Sequence, residues 1–288
     1  MISVWREEFI DYKRNFLRVV AVFAGGMVLF VILCSILKLD LSQWYKKLSF
    51  LPAAILDIIS FWRNKLMPDS QKYCMTWLYV ANIPLLFYAA LLPARLLGEE
   101  NENGSMAFIC NAPFGRKEIF WGKFLTAVTC YGAIIVLMAL CSMLMVLPPA
   151  VFKIAALKFI VGMYGMLLAV GLFLMGLTTL YCSLKNAATC SSDGVMFWCF
   201  LDMLVGWLYT GIMLMRDMII SLGREIVMPQ GLLTGMNIIR NLSFVQWCCP
   251  ADIYRKFPLQ IFVMVLAVSL ILFQVSAIIY SGKEFGEN

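Results

Sequence analysis

The run from Phe124 to Phe152 reads FLTAVTCYGAIIVLMALCSMLMVLPPAVF and contains no Asp, Glu, Lys or Arg. A helix needs about 20 apolar residues to cross a bilayer core, because each residue rises about 1.5 Å along the axis. A strand of a membrane barrel would alternate apolar and polar residues, whereas this run is continuous. The sequence therefore predicts a membrane-spanning helix here.

Five further charge-poor runs are long enough to span a bilayer. They lie at Val19–Leu37, Cys74–Ala94, Phe159–Leu184, Gly194–Met215 and Phe257–Gly282. Two shorter apolar segments, 48–62 and 226–239, contain prolines and are typical of interfacial or re-entrant pieces. The pattern predicts an all-α integral membrane protein with about six transmembrane helices, forming a single domain over residues 1–288.

The composition agrees with a membrane protein and excludes several other classes. Residues are 62% hydrophobic and 14% charged, with a mean hydropathy of +0.85, whereas about a quarter of the residues of a soluble domain are charged. The net charge of +6 comes without a basic stripe interleaved with aromatics, so no nucleic-acid partner is expected. The ten cysteines form no CxxC pair or zinc spacing.

Residues 1–18 have the pattern of an amphipathic helix. Aromatic residues recur at steps of three and four, at Trp5, Phe9, Tyr12 and Phe16. Charged residues occupy the other side, at Arg6, Glu7, Asp11, Lys13 and Arg14. The pattern favours an interfacial helix in the headgroup plane. A charged lead-in to the first span is the alternative.

The loop between the second and third runs, residues 98–123, reads GEENENGSMAFICNAPFGRKEIFWGK. Ser105 is a plausible N-cap for a short helix over 105–111, with the acidic residues Glu99 and Glu100 ahead of it, where they suit the helix dipole. Pro113 ends that helix. Its apolar side chains would either fill a groove in a partner protein or fold back on the membrane, and they are Met106, Phe108 and Ile109.

This loop resembles the hallmark of the type-2 ABC exporter permeases. In that family an acidic run precedes Gly-Ser or Gly-Thr, a short helix, Pro-x-x-Arg, and then Ile and Gly-Lys at the start of the third span. The matching positions are Glu99, Glu100, Gly104, Ser105, Pro113, Arg116, Ile119, Gly122 and Lys123. The match is most specific over Gly98 to Lys123, and the span layout extends it loosely over the chain.

The resemblance implies that 98–123 is a cytosolic coupling loop whose helix docks on a separate ATP-binding cassette ATPase. The expected ATPase-coupling residues are Glu99, Glu100, Gly104, Ser105, Met106, Phe108, Ile109, Pro113, Arg116 and Lys117. It also implies a second permease subunit, in a homo- or heterodimer, and an extracellular or re-entrant segment over 216–256. Charge counting leaves the orientation open. The resemblance places both termini in the cytoplasm, at the plasma membrane of a bacterium.

No phosphate-binding loop is present in the chain. The candidate Gly122-Lys123 is followed by Phe124 rather than Ser or Thr, and Lys117 stands where the first glycine is required. The chain is therefore expected to be a non-enzymatic subunit without a cofactor, and ATP and Mg²⁺ would be bound by the partner ATPase.

Asp202 interrupts the fifth run near its middle. A lone Asp at the centre of a membrane helix costs about 2.5–3.5 kcal/mol, so it faces the protein interior or a cavity. It could line a pathway or a dimer interface, or it could form a structural hydrogen bond, for example with Thr178 or Thr179. Four glycines of the fourth run are interpreted as helix-packing positions: Gly162, Gly165, Gly171 and Gly176.

Two other functional classes remain as alternatives. An ion-coupled secondary transporter would show paired intramembrane charges and an internal repeat, and the sequence shows neither, with no histidine at all. A non-transporting membrane scaffold would leave the 98–123 loop without a nucleotide-dependent role. For an exporter, an amphipathic, antimicrobial or toxin peptide, or a lipid, fits this apolar chain better than a small polar solute.

Overall fold

The structure is a computed structural model in which every described element is helical. It describes residues 2–37, 69–98, 115–146, 154–184, 243–248 and 257–282, with scattered residues between 194 and 253. The α-helices are α1 (Ile2–Val20), α2 (Gly26–Ile36), α3 (Asp69–Pro93), α4 (Arg116–Val146), α5 (Ile154–Leu184), α6 (Phe244–Trp247) and α7 (Leu259–Gly282). Two π-helical segments, Ala21–Gly25 and Ala94–Gly98, follow α1 and α3.

Five of the described helical stretches are long and apolar enough to cross a membrane. They are Ile2–Ile36, Lys72–Leu97, Arg116–Met145, Leu157–Leu184 and Leu259–Gly282. They confirm the predicted all-α membrane fold. The remaining predicted span, Gly194–Met215, lies largely outside the described residues, as do the short segments 48–62 and 226–239.

α1 and α2 form one continuous helix through the intervening π segment. Val20, Gly25 and Gly26 all keep right-handed helical backbone angles. The combined helix has 35 residues, or about 50 Å at 1.5 Å per residue, which exceeds a hydrocarbon core of about 30 Å. Its N-terminal half therefore extends beyond the core or tilts within the bilayer.

α4 packs against four other long helices, namely α1, α3, α5 and α7. The hydroxyl of Tyr131, fully buried, donates a hydrogen bond of 2.8 Å to the Leu167 carbonyl of α5. Gly171 of α5 lies against the same ring, because a Cβ there would stand 2.3 Å from Tyr131 Cε1. On α7, the ring of Phe273 lies against that of Phe124, with ring centroids 4.3 Å apart and the ring planes inclined by 52°. These contacts join α4 to both α5 and α7.

α5 and α7 pack in parallel along the predicted glycine positions. A Cβ at Gly162 would stand 3.0 Å from the Phe257 ring, and one at Gly176 would stand 3.0 Å from Leu272 Cβ. The contact positions rise together along both helices, so the helices run in the same direction. The chain that leaves α5 at Leu184 must therefore return along the length of the bundle before α7. The predicted fifth span would supply that crossing.

Both described ends of the chain lie at the same end of the bundle as the start of α4. Val4 of α1 contacts Gly122 near the start of α4. The ring of Tyr280, near the end of α7, lies 5.3 Å from that of Phe120. Since Leu96 is hydrogen-bonded to Lys123 near the start of α4, the described residues that flank 99–114 and both described ends of the chain share one side of the bundle.

Candidate functional site

The predicted coupling residues divide between the described and undescribed parts of the chain. Glu99, Glu100, Gly104, Ser105, Met106, Phe108, Ile109 and Pro113 lie outside the described residues. Arg116 and Lys117 form the first turn of α4, with Arg116 partly buried and Lys117 exposed. The structure therefore describes the residues on either side of the loop, up to Gly98 and from Gly115 onward.

α4 begins at Arg116, and the preceding Gly115 is bonded to its first turn. The Gly115 carbonyl accepts hydrogen bonds from the backbone N–H groups of Glu118 at 2.8 Å and Ile119 at 3.1 Å. Glu118 lies in that turn, where a carboxylate is favoured by the positive end of the helix dipole. The chain thus leaves the loop directly into a regular helix.

Lys123 joins three elements at this base. Its side chain is 1% exposed, and Nζ donates a 3.0 Å hydrogen bond to the carbonyl of Leu96. Leu96 belongs to the π segment that ends the second span, where the last carbonyls of a helix lack partners along the helix. Nζ also lies 3.1 Å from Glu8 Oε1 of α1. The second span, α4 and α1 therefore meet at one ammonium group, which we call the Lys123 clamp (Glu8, Leu96 and Lys123).

Gly122 lets α1 approach α4 closely beside this clamp. A Cβ at Gly122 would stand 2.7 Å from Val4 Cγ1 and 3.3 Å from the backbone nitrogen of Trp5. About two turns further along α4, the Trp5 indole Nε1 donates a 3.1 Å hydrogen bond to Thr129 Oγ1. The Gly-Lys pair of the sequence motif thus has a structural role: the glycine admits α1 and the lysine holds it.

Sequence analysis did not identify Glu8 as a site residue. Its position carried a signal, because Val4, Glu8 and Tyr12 follow one another at four-residue steps and therefore share a helix face. Val4 and Tyr12 are buried, and the side chain of Glu8 is 22% exposed. A carboxylate inside an apolar stripe requires a partner, which the structure shows to be Lys123.

The aromatic side of α1 faces protein in the structure. Phe9 and Phe16 are partly buried against the hydrophobic core, and Tyr12 belongs to that core. Trp5 is partly buried and is hydrogen-bonded to Thr129 of α4. The predicted amphipathic pattern is present, with Arg6 exposed on the other side. The position of residues 1–18 in the headgroup plane stays a prediction, but the aromatic side chains pack against neighbouring helices.

Asp202 has a different partner from the predicted ones. Its Oδ2 accepts a 3.0 Å hydrogen bond from Ser243 Oγ, and Ser243 is 2% exposed. The proposed partners were wrong because both hydroxyls are used inside their own helix: Thr178 donates to Leu174 and Thr179 to Gly176. Asp202 thus joins its own segment to the residue just before α6, and its role in a pathway or interface stays a prediction.

The described residues offer no cluster suited to a metal ion. No group of three or more His, Cys, Asp or Glu side chains comes together among them. The buried charged side chains found in this part of the chain are Lys72 and Lys123. Lys123 is held by Glu8 and Leu96, as described above.

Comparison with known proteins identifies the family. The family described as ABC-2 family transporter protein matches residues 33–280, which includes the 98–123 loop and every described helix after α1 except the first turns of α2. No curated protein matches the chain. A match over most of the chain, together with five helices able to cross a membrane, establishes a multi-pass membrane protein. The chain belongs to the ABC-2 transporter permease family and is a membrane subunit of an ABC transporter.

Proposed function

We propose that this chain is the permease subunit of an ATP-driven exporter. Two permease subunits, identical or different, enclose the pathway, and a separate ATPase docks on the coupling helix within 98–123. The loop and both termini lie in the cytosol, and the complex resides in the plasma membrane of a bacterium. ATP and Mg²⁺ bind to the ATPase, because this chain carries no phosphate-binding loop.

The observation that carries this proposal is the Lys123 clamp at the base of the loop. Lys123 on α4 is hydrogen-bonded to Leu96 at the end of the second span, so both sides of the loop are joined within a few residues of it. A force applied to the loop would therefore act on the second span and α4 together rather than on one of them alone. Packed and hydrogen-bonded elements of this kind transmit displacement.

α4 carries such a displacement further into the bundle. Its Tyr131 is hydrogen-bonded to Leu167 of α5, and its Phe124 contacts the ring of Phe273 of α7. A shift of α4 would therefore displace the helices packed against it. This arrangement supports a role in which nucleotide-driven movement of a partner opens a pathway.

The burial of charge favours this proposal over an ion-coupled carrier. In the part of the chain that the structure describes, the buried charged side chains are lysines, one of them paired with Glu8 at the loop end of the bundle. A proton- or ion-coupled carrier uses carboxylates or histidines within the membrane. The apolar interior also supports an amphipathic peptide or a lipid as the substrate.

Deletion of Ser105–Asn111, or Gly104→Pro, tests the docking site. We expect the ATPase encoded beside this chain to co-purify with the wild-type permease and not with either variant, while the membrane part keeps its thermal stability. Gly104→Ala is the matched control, because it retains the backbone N–H that proline removes. Retained ATPase binding and export in the deletion variant would contradict the proposal.

The same preparation separates the alternatives. A secondary transporter would move its substrate in vesicles without ATP and without the ATPase. A membrane scaffold would bind partners but would not change ATP hydrolysis. An exporter subunit requires both the ATPase and hydrolysable ATP for transport.

A further inference from the structure

The first long helix, α1 with α2, is held to its neighbours at two levels. At the loop end of the bundle it is held by the Lys123 clamp. Further along, Met27 Sδ accepts a 3.4 Å hydrogen bond from Ser142 Oγ of α4. A Cβ at the adjacent Gly26 would stand 3.0 Å from the Trp77 ring of α3. These contacts fix the height of α1 relative to the second and third spans.

The two levels are separated by about the thickness of a bilayer core. Each helix advances 19 residues between them, from Glu8 to Met27, from Trp77 to Leu96 and from Lys123 to Ser142. At 1.5 Å per residue this is about 28 Å, close to a hydrocarbon core of about 30 Å. Between the levels, the second span and α4 carry charge only at the loop end, on Arg95 and Lys123.

α1 differs from these neighbours because it carries several charges between the two levels. They are Asp11, Lys13, Arg14 and Arg18, and all four are exposed. Three of them continue a series that starts at the exposed Glu7 and advances by steps of four, three and four, so they share one side of the helix. We call this surface the charged face of α1 (Glu7, Asp11, Arg14 and Arg18).

The inner end of the charged face lies too deep for contact with lipid headgroups. Arg18 comes ten residues after Glu8, which places it about 15 Å from the loop-end level and near the middle of the core. Charged side chains at that depth face the protein interior or a water-filled cavity, and Lys and Arg extend to the headgroups only near helix ends. The face also continues without interruption from Glu7 at the loop end. A continuous charged surface of this kind is expected for the wall of a cavity that opens at the loop end.

We infer that the charged face of α1 lines a water-filled cavity of the translocation pathway, open at the loop end of the bundle. The acidic residues Glu7 and Asp11 lie near its opening, and Arg14 and Arg18 lie deeper. The inner part of the cavity therefore favours an anionic group on an amphipathic substrate. The link to transport rests on the proposed function, whereas the cavity itself rests on the depth and charge of α1.

Thiol labelling tests whether this face meets water. Asn15, which is exposed next to Arg14, is replaced by Cys in the full permease, co-expressed with the ATPase encoded beside it and reconstituted in nanodiscs. A charged methanethiosulfonate reagent should label Asn15→Cys at least about tenfold faster than Ala267→Cys, because a thiol must ionise to react. Ala267 is the matched control, since it is exposed on α7 at a similar depth, six residues from the Phe273 that contacts Phe124. The wild type gives the background from native cysteines.

Reagents of opposite charge test the role of the arginines. On Asn15→Cys, the anionic sulfonatoethyl reagent should react faster than the cationic trimethylammonium-ethyl reagent, after each rate is divided by its rate with free cysteine. Adding Arg18→Gln should lower this ratio about fivefold, because one nearby cation is lost. Adding Arg6→Gln is the control and should leave the ratio unchanged, since Arg6 lies nine residues, or about 13 Å, from position 15.

Fluorescence quenching tests the depth of α1. Leu17 is 53% exposed, and Leu17→Cys labelled with bimane should be quenched more by lipids brominated near the ends of their acyl chains than by lipids brominated near their headgroups. The opposite order would place α1 at the membrane surface and overturn the inference. So would labelling of Asn15→Cys that is no faster than that of Ala267→Cys.

Trapping the ATPase with vanadate tests the link to transport. We expect the labelling of Asn15→Cys to slow by about fivefold or more, as the cavity closes at the loop end. Unchanged labelling, with the ATPase bound and inhibited, would overturn the assignment to the pathway. Failure of the ATPase to bind would instead contradict the proposed function, while the labelling rates and the quenching still decide on the cavity.

Discussion

Neutralising Glu8 should destabilise the protein through Lys123. Glu8→Gln removes the charge that lies 3.1 Å from the Lys123 ammonium group but leaves an amide oxygen that can still accept a hydrogen bond. Lys123 is 1% exposed and keeps its bond to the Leu96 carbonyl. Breaking a fully buried ion pair costs about 3–5 kcal/mol. Because the Glu8 side chain is 22% exposed and its hydrogen bond survives, we expect a smaller loss of about 1.5–3 kcal/mol.

A double variant distinguishes the loss of the ion pair from a general destabilisation of the fold. Lys123→Met leaves Glu8 free to turn toward water and frees the Leu96 carbonyl, which should cost about 1–3 kcal/mol. In Glu8→Gln/Lys123→Met neither side chain of the former ion pair is charged, so the combined loss should fall short of the sum by about 1–2 kcal/mol. Such a shortfall would measure the coupling between the two side chains directly.

The free energy of unfolding can be measured by titrating the purified chain with SDS in mixed micelles and following circular dichroism. Glu7→Gln is the matched control, because Glu7 is the exposed neighbour on the same helix, and it should change the stability by less than about 0.5 kcal/mol. Additive losses in the double variant, or an equal loss in Glu7→Gln and Glu8→Gln, would refute the clamp.

Four further substitutions probe the bundle and the base of the 98–123 loop. Gly171→Ala should cost about 2–4 kcal/mol in the same titration, because the new methyl group would overlap the Tyr131 ring; Gly132→Ala, with no atom within 4 Å of the added Cβ, should instead stabilise the helix by up to about 1 kcal/mol. Gly122→Ala should push α1 away from α4, which faster protease cleavage after the arginines of α1 would reveal; unchanged cleavage would argue against the close approach. Asp202→Asn keeps a hydrogen-bond acceptor, so the fold should retain its stability, and a loss of transport alone would support a pathway role, whereas unchanged export would make Asp202 structural.

The sequence allowed most of the helices to be predicted, because the bilayer imposes a minimum length on each apolar run. It also identified the glycines of α5, which the structure places against Tyr131, Phe257 and Leu272. Small residues in a membrane helix have few other uses than close packing. The partner of each glycine could not be read from the sequence, since it depends on the arrangement of the helices.

The residues that the sequence could not resolve are those whose partners lie far along the chain. Glu8 and Lys123 are 115 positions apart, and no local pattern joins them. Sequence periodicity could not show whether the aromatic side of α1 faces lipid or protein, because both surroundings are apolar. The hydrogen bond of Thr178 within its own helix could have been predicted, because a hydroxyl within a helix commonly donates to the carbonyl four residues earlier.

Site-specific crosslinking from the coupling loop tests the central claim most directly. A photoactivatable phenylalanine derivative would replace Phe108 in the loop, and as a control it would replace Leu144, a 73% exposed residue near the far end of α4. The full permease would be expressed with the ATPase encoded beside it. We predict a crosslink to the ATPase from position 108 and none from position 144. Crosslinks from position 108 to lipid alone, with the ATPase present, would contradict the assignment of this loop as the ATPase docking site.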